Sequence, residues 1–258
     1  MKILFIGDIV GSSGRNIVLD KIEDLKKQYQ PDLIIANGEN SAHGKGITKK
    51  IYNSFINAGI NCITLGNHSF SKEILLTYID ELENLVRPYN LFPLNKGNNY
   101  KVYNVLDKKV CVCNIMCEAF MDNVAFSAFQ SMDEILEKVE ADYYIVDLHG
   151  ETTAEKITFA HFYSNTVSAI FGTHTHVQTN DDRIINNLAY ITDVGMCGAI
   201  DSVIGRDLNE VIDNMVYKMK TKYTVAIGPA ILSGIFVEYD DNTKKPIKIE
   251  KIRIEPNN

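Results

Sequence analysis

Residues 1–15, MKILFIGDIVGSSGR, carry an apolar stretch from Ile3 to Ile6 into Gly7-Asp8 and then into a loop holding Gly11 and Gly14. Two readings compete for it. A strand, a glycine-rich turn and a helix start can cradle the phosphates of a dinucleotide, or the strand can serve to deliver Asp8 to a metal. The dinucleotide fingerprint wants G-x-G-x-x-G, whereas Gly7, Gly11 and Gly14 give G-x-x-x-G-x-x-G without the first tight pair. Residues downstream decide between them.

Near-continuous apolar runs over residues 2–8, 32–39, 62–68, 143–149 and 168–176 read as strands buried on both faces. Helical patterns follow several of them, over 13–28, 48–57, 71–84 and 152–163. The strand–helix repeat argues for βαβ units in a layered α/β domain. The last third reads differently, with strands over 184–194, 226–239 and 247–254 joined by turns at Asn186-Asn187 and Asp240 to Pro246. That pattern suggests a second, more antiparallel sheet packed on the first.

In an open α/β sheet ligands gather beyond the carboxyl ends of the strands. The residues that end these strands are Asp8, Glu39-Asn40 in IIANGENSAHG, Asn67-His68 in ITLGNHSF, His149 in YIVDLHGE, and His174 with His176 in IFGTHTHVQ. Four of the 6 histidines lie among them. Each alone is ambiguous, since a lone Asp caps helices and a lone His is commonly structural; together they read as a metal site. His174 and His176, two apart in an extended segment, would point to the same side. The set is too rich for one four-coordinate zinc but suits two ions sharing a carboxylate, with Glu39 as the natural bridge. Oxygen and nitrogen donors without thiolate favour iron or manganese, then zinc or magnesium. A dinucleotide reading leaves GNH, HGE and GTHTH without a purpose. The glycines of the opening loop are expected to let the chain turn close to the metals without a Cβ in the way.

Composition sets the limits. At 258 residues, 45% hydrophobic and 23% charged, the chain is long enough for a substantial core, and no window reaches the roughly 18 uninterrupted apolar residues of a membrane span. The N-terminal apolar run is too short for a secretory signal, which gives a cytoplasmic expectation. Five cysteines, Cys62, Cys111, Cys113, Cys117 and Cys197, read as reduced core side chains; Cys111 and Cys113 could share a strand face, but nothing completes a zinc set. A net charge of −7 disfavours duplex nucleic acid as a partner and leaves room for a small anionic substrate. His43, just after Glu39-Asn40 in a glycine-flanked loop, reads equally as a substrate contact or as a simply exposed residue, His161 reads as structural within a helix, and Gly44-Lys45-Gly46 has the composition of a phosphate nest. Asp193 and Arg206 receive no role from sequence.

The ordered series GD, GEN, GNH, HGE and GTHTH resembles the calcineurin-like metallophosphoesterases, and more closely the YmdB-like subfamily of bacterial cyclic-nucleotide phosphodiesterases. The likeness runs from Asp8 to Gly228-Pro229. It implies a four-layer α/β/β/α sandwich, two mixed β-sheets flanked by helices, in a single domain spanning 1–258. Where the wider superfamily has Asp-x-His this chain has Asp8-Ile9-Val10, and its bridging acid is Glu39 rather than Asp; both are subfamily traits, with Asn40 as compensating ligand. The resemblance implies one metal held by Asp8, Glu39, Asn40 and His176, a second held by Glu39, Asn67, His149 and His174, and His68 as the catalytic side chain. After GNH the subfamily carries an aromatic and then an Asp; Ser69-Phe70-Ser71-Lys72 keeps only the aromatic.

The expectation is therefore a hydrolase that cleaves small phosphodiesters such as 2',3'-cyclic AMP by a metal-activated hydroxide, with no membrane partner and with homo-oligomerisation left open. The alternative is a metal- or nucleotide-binding regulatory protein whose turnover is incidental.

Overall fold

Within the first strand the side chains alternate between two interiors, which is why its sequence reads as continuously apolar. In β1 (Lys2–Ile6), Ile3 and Phe5 face a core shared between two sheets, while Leu4 and Ile6 face a core under helices. The computed structural model describes residues 1–256; Asn257 and Asn258, which close the expected span 1–258, lie outside the described residues.

After β1 come β2 (Asp8–Ile9), α1 (Gly11–Tyr29), β3 (Leu33–Asn37), α2 (Lys49–Asn57), β4 (Cys62–Thr64) and β5 (Leu85–Val86). Then follow β6 (Tyr100–Val105), β7 (Lys108–Met116), α3 (Ala128–Lys138), β8 (Tyr143–His149), α4 (Thr153–Phe162) and β9 (Ala169–Thr173). The chain closes with β10 (Arg183–Ile185), β11 (Leu188–Ile191), β12 (Met196–Ala199), α5 (Leu208–Met215), β13 (Ala230–Tyr239) and β14 (Pro246–Ile254). One sheet has 8 strands in the order β2-β12-β13-β1-β3-β4-β5, with β14 paired to β13; the other has 6 in the order β10-β11-β9-β8-β7-β6. Both are mixed. β1, β3, β4 and β5 run parallel, as do β7, β8, β9 and β11, and antiparallel strands flank each parallel block.

Three cores make four layers. Val18, Ile22 and Leu25 of α1 and Phe55 of α2 pack on the outer face of the first sheet. Met132 and Ile135 of α3 and Phe159 of α4 pack on the outer face of the second, together with Cys111, Cys113 and Cys117, so these cysteines are buried free thiols of the core. Between the sheets, Phe5 meets Phe171 with ring centroids 5.1 Å apart, and both are fully buried. Phe5→Ala is expected to cost about 3–5 kcal/mol through lost contacts and the cavity left behind; a urea titration should show a lower midpoint at unchanged slope.

Two sequence expectations are corrected here. The C-terminal strands do not form a sheet of their own: β12, β13 and β14 complete the first sheet, where Lys2 to Ile6 pair antiparallel with Glu238 to Gly234, and β10 and β11 extend the second. The helix expected over 71–84 is instead two short 3₁₀ turns, Glu73–Thr77 and Ile79–Glu81. Thr77 bonds the carbonyl of Ile74 at 2.7 Å, and Tyr78 leaves helical dihedrals at φ −139°. Leu75, Ile79 and Leu82 all reach the core in this tighter winding. No helix among the described residues is long and apolar enough to cross a membrane.

Candidate metal centre

The carboxyl ends of β1, β3, β4, β8 and β9 bring together Asp8, Glu39, Asn40, Asn67, His68, His149, His174 and His176, whereas His161 lies away in α4. Asp8, Glu39 and His149 are buried, with donor atoms within 4.8 Å of one another. His149 Nε2 stands 2.9 Å from Glu39 Oε2, 3.0 Å from Asn67 Oδ1 and 3.1 Å from His174 Nδ1. On the other side His176 Nε2 stands 3.2 Å from Asn40 Oδ1 and 3.9 Å from Asp8 Oδ1. His68 borders the cluster, its backbone N–H donating to Glu39 Oε1 at 2.6 Å and its ring Nδ1 lying 3.3 Å from Ser71 Oγ.

The outer nitrogen of each imidazole determines what its inner nitrogen offers. Thr173 donates its hydroxyl to Asp147 Oδ1 at 2.6 Å, so at 2.9 Å from His149 Nδ1 it accepts, and His149 Nε2 is left with a lone pair facing inward. His174 donates from Nε2 to Glu151 at 3.0 Å, and His176 donates from Nδ1 to the Ile204 carbonyl at 2.8 Å. Three lone pairs thus converge with the oxygens of Asn67, Asn40, Glu39 and Asp8. Asp8 Oδ1 and Glu39 Oε2 are buried without a hydrogen-bond donor: His149 is close to Glu39 Oε2, but its proton points the other way. Acceptors facing acceptors in a buried site call for a cation, and imidazoles anchored from behind are how proteins orient metal ligands.

The electrostatics show how strongly the same inward-facing positions attract positive charge. Burial pushes Asp8 up to about 7 against the pull of His176. Burial also works against the Glu39 carboxylate, yet His149 and His68 outweigh it and hold the group at about 2. Burial and the neighbouring His149 drop His174 to about 3, so it stays neutral. Burial disfavours a charged His149, but Glu39 prevails and raises it; a proton and a metal ion compete for the same lone pair. Burial lowers His68 despite Glu39.

Local sequence explains each placement. Asn40 is fixed from its backbone, whose carbonyl accepts from Gly11 N at 3.0 Å and Gly44 N at 3.1 Å. Its side-chain amide donates to Gly44 O at 3.0 Å, which turns Oδ1 toward His176. The helix-start amide of Gly11 and the amide of Gly44 are therefore spent on Asn40 and are not free to cradle a phosphate. Nor does Gly14 keep the loop clear of the metals. It lies under β12, where an added Cβ would stand 2.1 Å from the Cys197 carbonyl. The glycine that serves close approach is Gly66, whose Cβ would stand 2.2 Å from Glu39 Oε2 and 2.3 Å from His149 Cε1.

His174 and His176 are not an extended pair. β9 stops at Thr173, and both histidines have positive φ, 97° and 66°, so the chain turns sharply and sends one ring to each side of the cluster. Sequence reasoning assigned no role to Thr173, Asp147, Glu151 or Asp193, which orient the histidines and their turn. Glu151 carried a signal, as the acid of HGE; the others sit inside apolar strands or turns with none. A cavity of about 220 Å³ opens over Glu39, Asn40, His68 and His174, bordered by Arg206 and Tyr223. The Arg206 guanidinium, bonded to Glu210 at 2.7 and 2.9 Å, and Lys45 Nζ each lie 5.1 Å from the Tyr223 ring.

The chain matches the family described as YmdB-like protein over residues 4–252. It is 41% identical over 257 residues to a 2',3'-cyclic-nucleotide 2'-phosphodiesterase of Bacillus subtilis, covering 98% of this chain and 97% of that protein. It superimposes on the crystal structure of a phosphatase from Mycoplasma pneumoniae with a TM-score of 0.95 at 39% identity, over 99% of this chain and 93% of that one. A 5'-nucleotidase precursor from Thermus thermophilus, at a TM-score of 0.55 and 13% identity over 99% of this chain and 54% of that one, shares the fold alone. With the family match spanning nearly its whole length, this chain belongs to the YmdB-like protein family.

Proposed function

We propose that this protein is a metal-dependent phosphodiesterase acting on small cyclic nucleotides, 2',3'-cyclic AMP among them, at a dinuclear centre of iron or manganese. The observation that carries the metal reading is the inward convergence of three imidazole lone pairs on two buried carboxylate oxygens without donors. His149, His174 and Asn67 form one group of donors and His176, Asn40 and Asp8 the other, with Glu39 facing both; that division supports two ions sharing one carboxylate. When bound, two such cations supply Lewis acidity toward phosphoryl oxygens and a nucleophile from water at neutral pH. The substrate class is supported by the name of the Bacillus subtilis relative and by the small cavity that Arg206 lines.

The chain's own residues do the rest. Arg206, paired with Glu210 and set beside the Tyr223 ring, lines the cavity, and Lys45 lies against the same ring, so two cations stand near where an anion would enter. His68, tied through its backbone to Glu39 and by its ring to Ser71, stands over the cavity, where it donates to the departing ester oxygen. His68→Ala is expected to keep its metals and lose about 10²- to 10⁴-fold in turnover; metal analysis beside kcat reads both, and near-normal kcat with full metal would remove His68 from this role. The function is tested by a substrate panel on the reconstituted enzyme. Cyclic diesters should turn over faster than phosphomonoesters, and the reverse order would reject the phosphodiesterase assignment.

A further inference from the structure

We propose that the buried ion pair of Lys156 and Asp193 is the positioning element of the metal centre, holding the chain on both sides of His174 so that His174 and His176 face the cluster. This inference rests on the metal reading above. Lys156 belongs to α4 and Asp193 to the link between β11 and β12, and both side chains are fully buried at 3.2 Å. Burying two charges is costly, and apolar residues of the same volume commonly serve stability as well or better. What this pair adds is direction. Lys156 Nζ donates to the Thr173 carbonyl at 2.7 Å, while Asp193 Oδ2 accepts from Thr175 N at 3.0 Å and Thr175 Oγ1 at 2.7 Å. The residues immediately before and after His174 are thereby bonded to one pair of charges.

The turn needs such a hold. Positive φ at two histidines separated only by Thr175 persists only where surrounding contacts over-determine the backbone. Asp193 also ties the turn to the opposite ligand: its Oδ1 accepts from Gly195 N at 2.8 Å, and the Gly195 carbonyl accepts from Asp8 N at 3.0 Å. A single carboxylate therefore sets the His174–His176 turn against the strand that presents Asp8. Lys156 and Asp193 touch neither substrate nor any proposed ligand atom, so they act through the histidines.

The test titrates metal-stripped protein with Mn²⁺ and records the Tm of each metal-free form alongside. Asp193→Asn and Lys156→Met are expected to weaken Mn²⁺ binding by about 10- to 100-fold. Should either fail to fold, Thr175 decides. Thr175→Val removes only the hydroxyl donated to Asp193 and should weaken binding about five-fold with little change in Tm, whereas Thr175→Ser restores the donor and should restore affinity. Folded Asp193→Asn or Thr175→Val with wild-type Mn²⁺ affinity overturns the inference alone, leaving the pair a stability element. Absence of Mn²⁺ uptake by the wild type overturns the metal reading itself, and this inference with it.

Discussion

Glu39→Gln is expected to purify as a folded protein that retains neither metal at stoichiometric level and has no measurable phosphodiesterase turnover. Glu39 Oε2 lies 2.9 Å from His149 Nε2, its carboxylate lies within 4.8 Å of Asp8 in the other group, and the residue is 1% exposed, so no solvent charge can substitute for it. Gln preserves the side chain's volume and can still accept the 2.6 Å bond from His68 N. It removes the negative charge and places an amide N–H donor or a neutral oxygen where the cations need an anion. Losing an outer hydrogen-bond partner of a ligand costs about 10- to 100-fold in metal affinity; losing the shared ligand itself should exceed that. Metal content by elemental analysis and turnover on a cyclic diester, measured on the same preparation, check it. Full metal occupancy in this variant would show that Glu39 is not the shared ligand.

Gly66→Ala should have nearly as large an effect without replacing a ligand. The methyl would lie 2.2 Å from Glu39 Oε2 and 2.3 Å from His149 Cε1, and neither neighbour can retreat, because both side chains are buried and His149 is pinned to Thr173. Over-packing of this kind costs about 1–3 kcal/mol in stability, whereas a ligand displaced by an ångström loses the metal. The expected result is a folded protein with a modestly lower Tm and strongly weakened Mn²⁺ binding. Gly228→Ala, where nothing lies within 4 Å of the added Cβ, is the matched control and should bind Mn²⁺ as the wild type does. Equal affinity in both variants would mean the backbone at Gly66 yields more than its surroundings suggest.

The candidate ligands stand out in the sequence because their chemistry is written locally. A polar donor at the end of an apolar strand stands out, and Asp8, Glu39, His149 and the two histidines of GTHTH each announce themselves that way. β8 matched residue for residue over 143–149, since both its faces are covered and only the buried Asp147 interrupts its apolar run. Partner choice was not legible. Whether β13 joins β1 or a separate sheet depends on pairings such as Lys2 with Glu238, and strand composition does not encode these. The hold on the histidine turn was hidden for the same reason, since Asp193 and Lys156 lie 37 residues apart and neither is unusual alone. Glycine spacing misled: Gly7, Gly11 and Gly14 drew attention to the opening loop, while the steric demand of the candidate metal centre falls on Gly66, whose neighbours are Glu39 just beyond β3 and His149 at the end of β8.

The most direct measurement is hydrolysis of 2',3'-cyclic AMP by wild-type protein stripped of metal and then reconstituted with Mn²⁺ or Fe²⁺, with bound metal counted on the same sample. Two metals per chain, together with turnover that vanishes on stripping and returns on reconstitution, is the expected outcome. Turnover that persists in fully stripped protein, or two bound metals with no hydrolysis of this ester or of any other phosphodiester, would overturn the metal-dependent phosphodiesterase assignment.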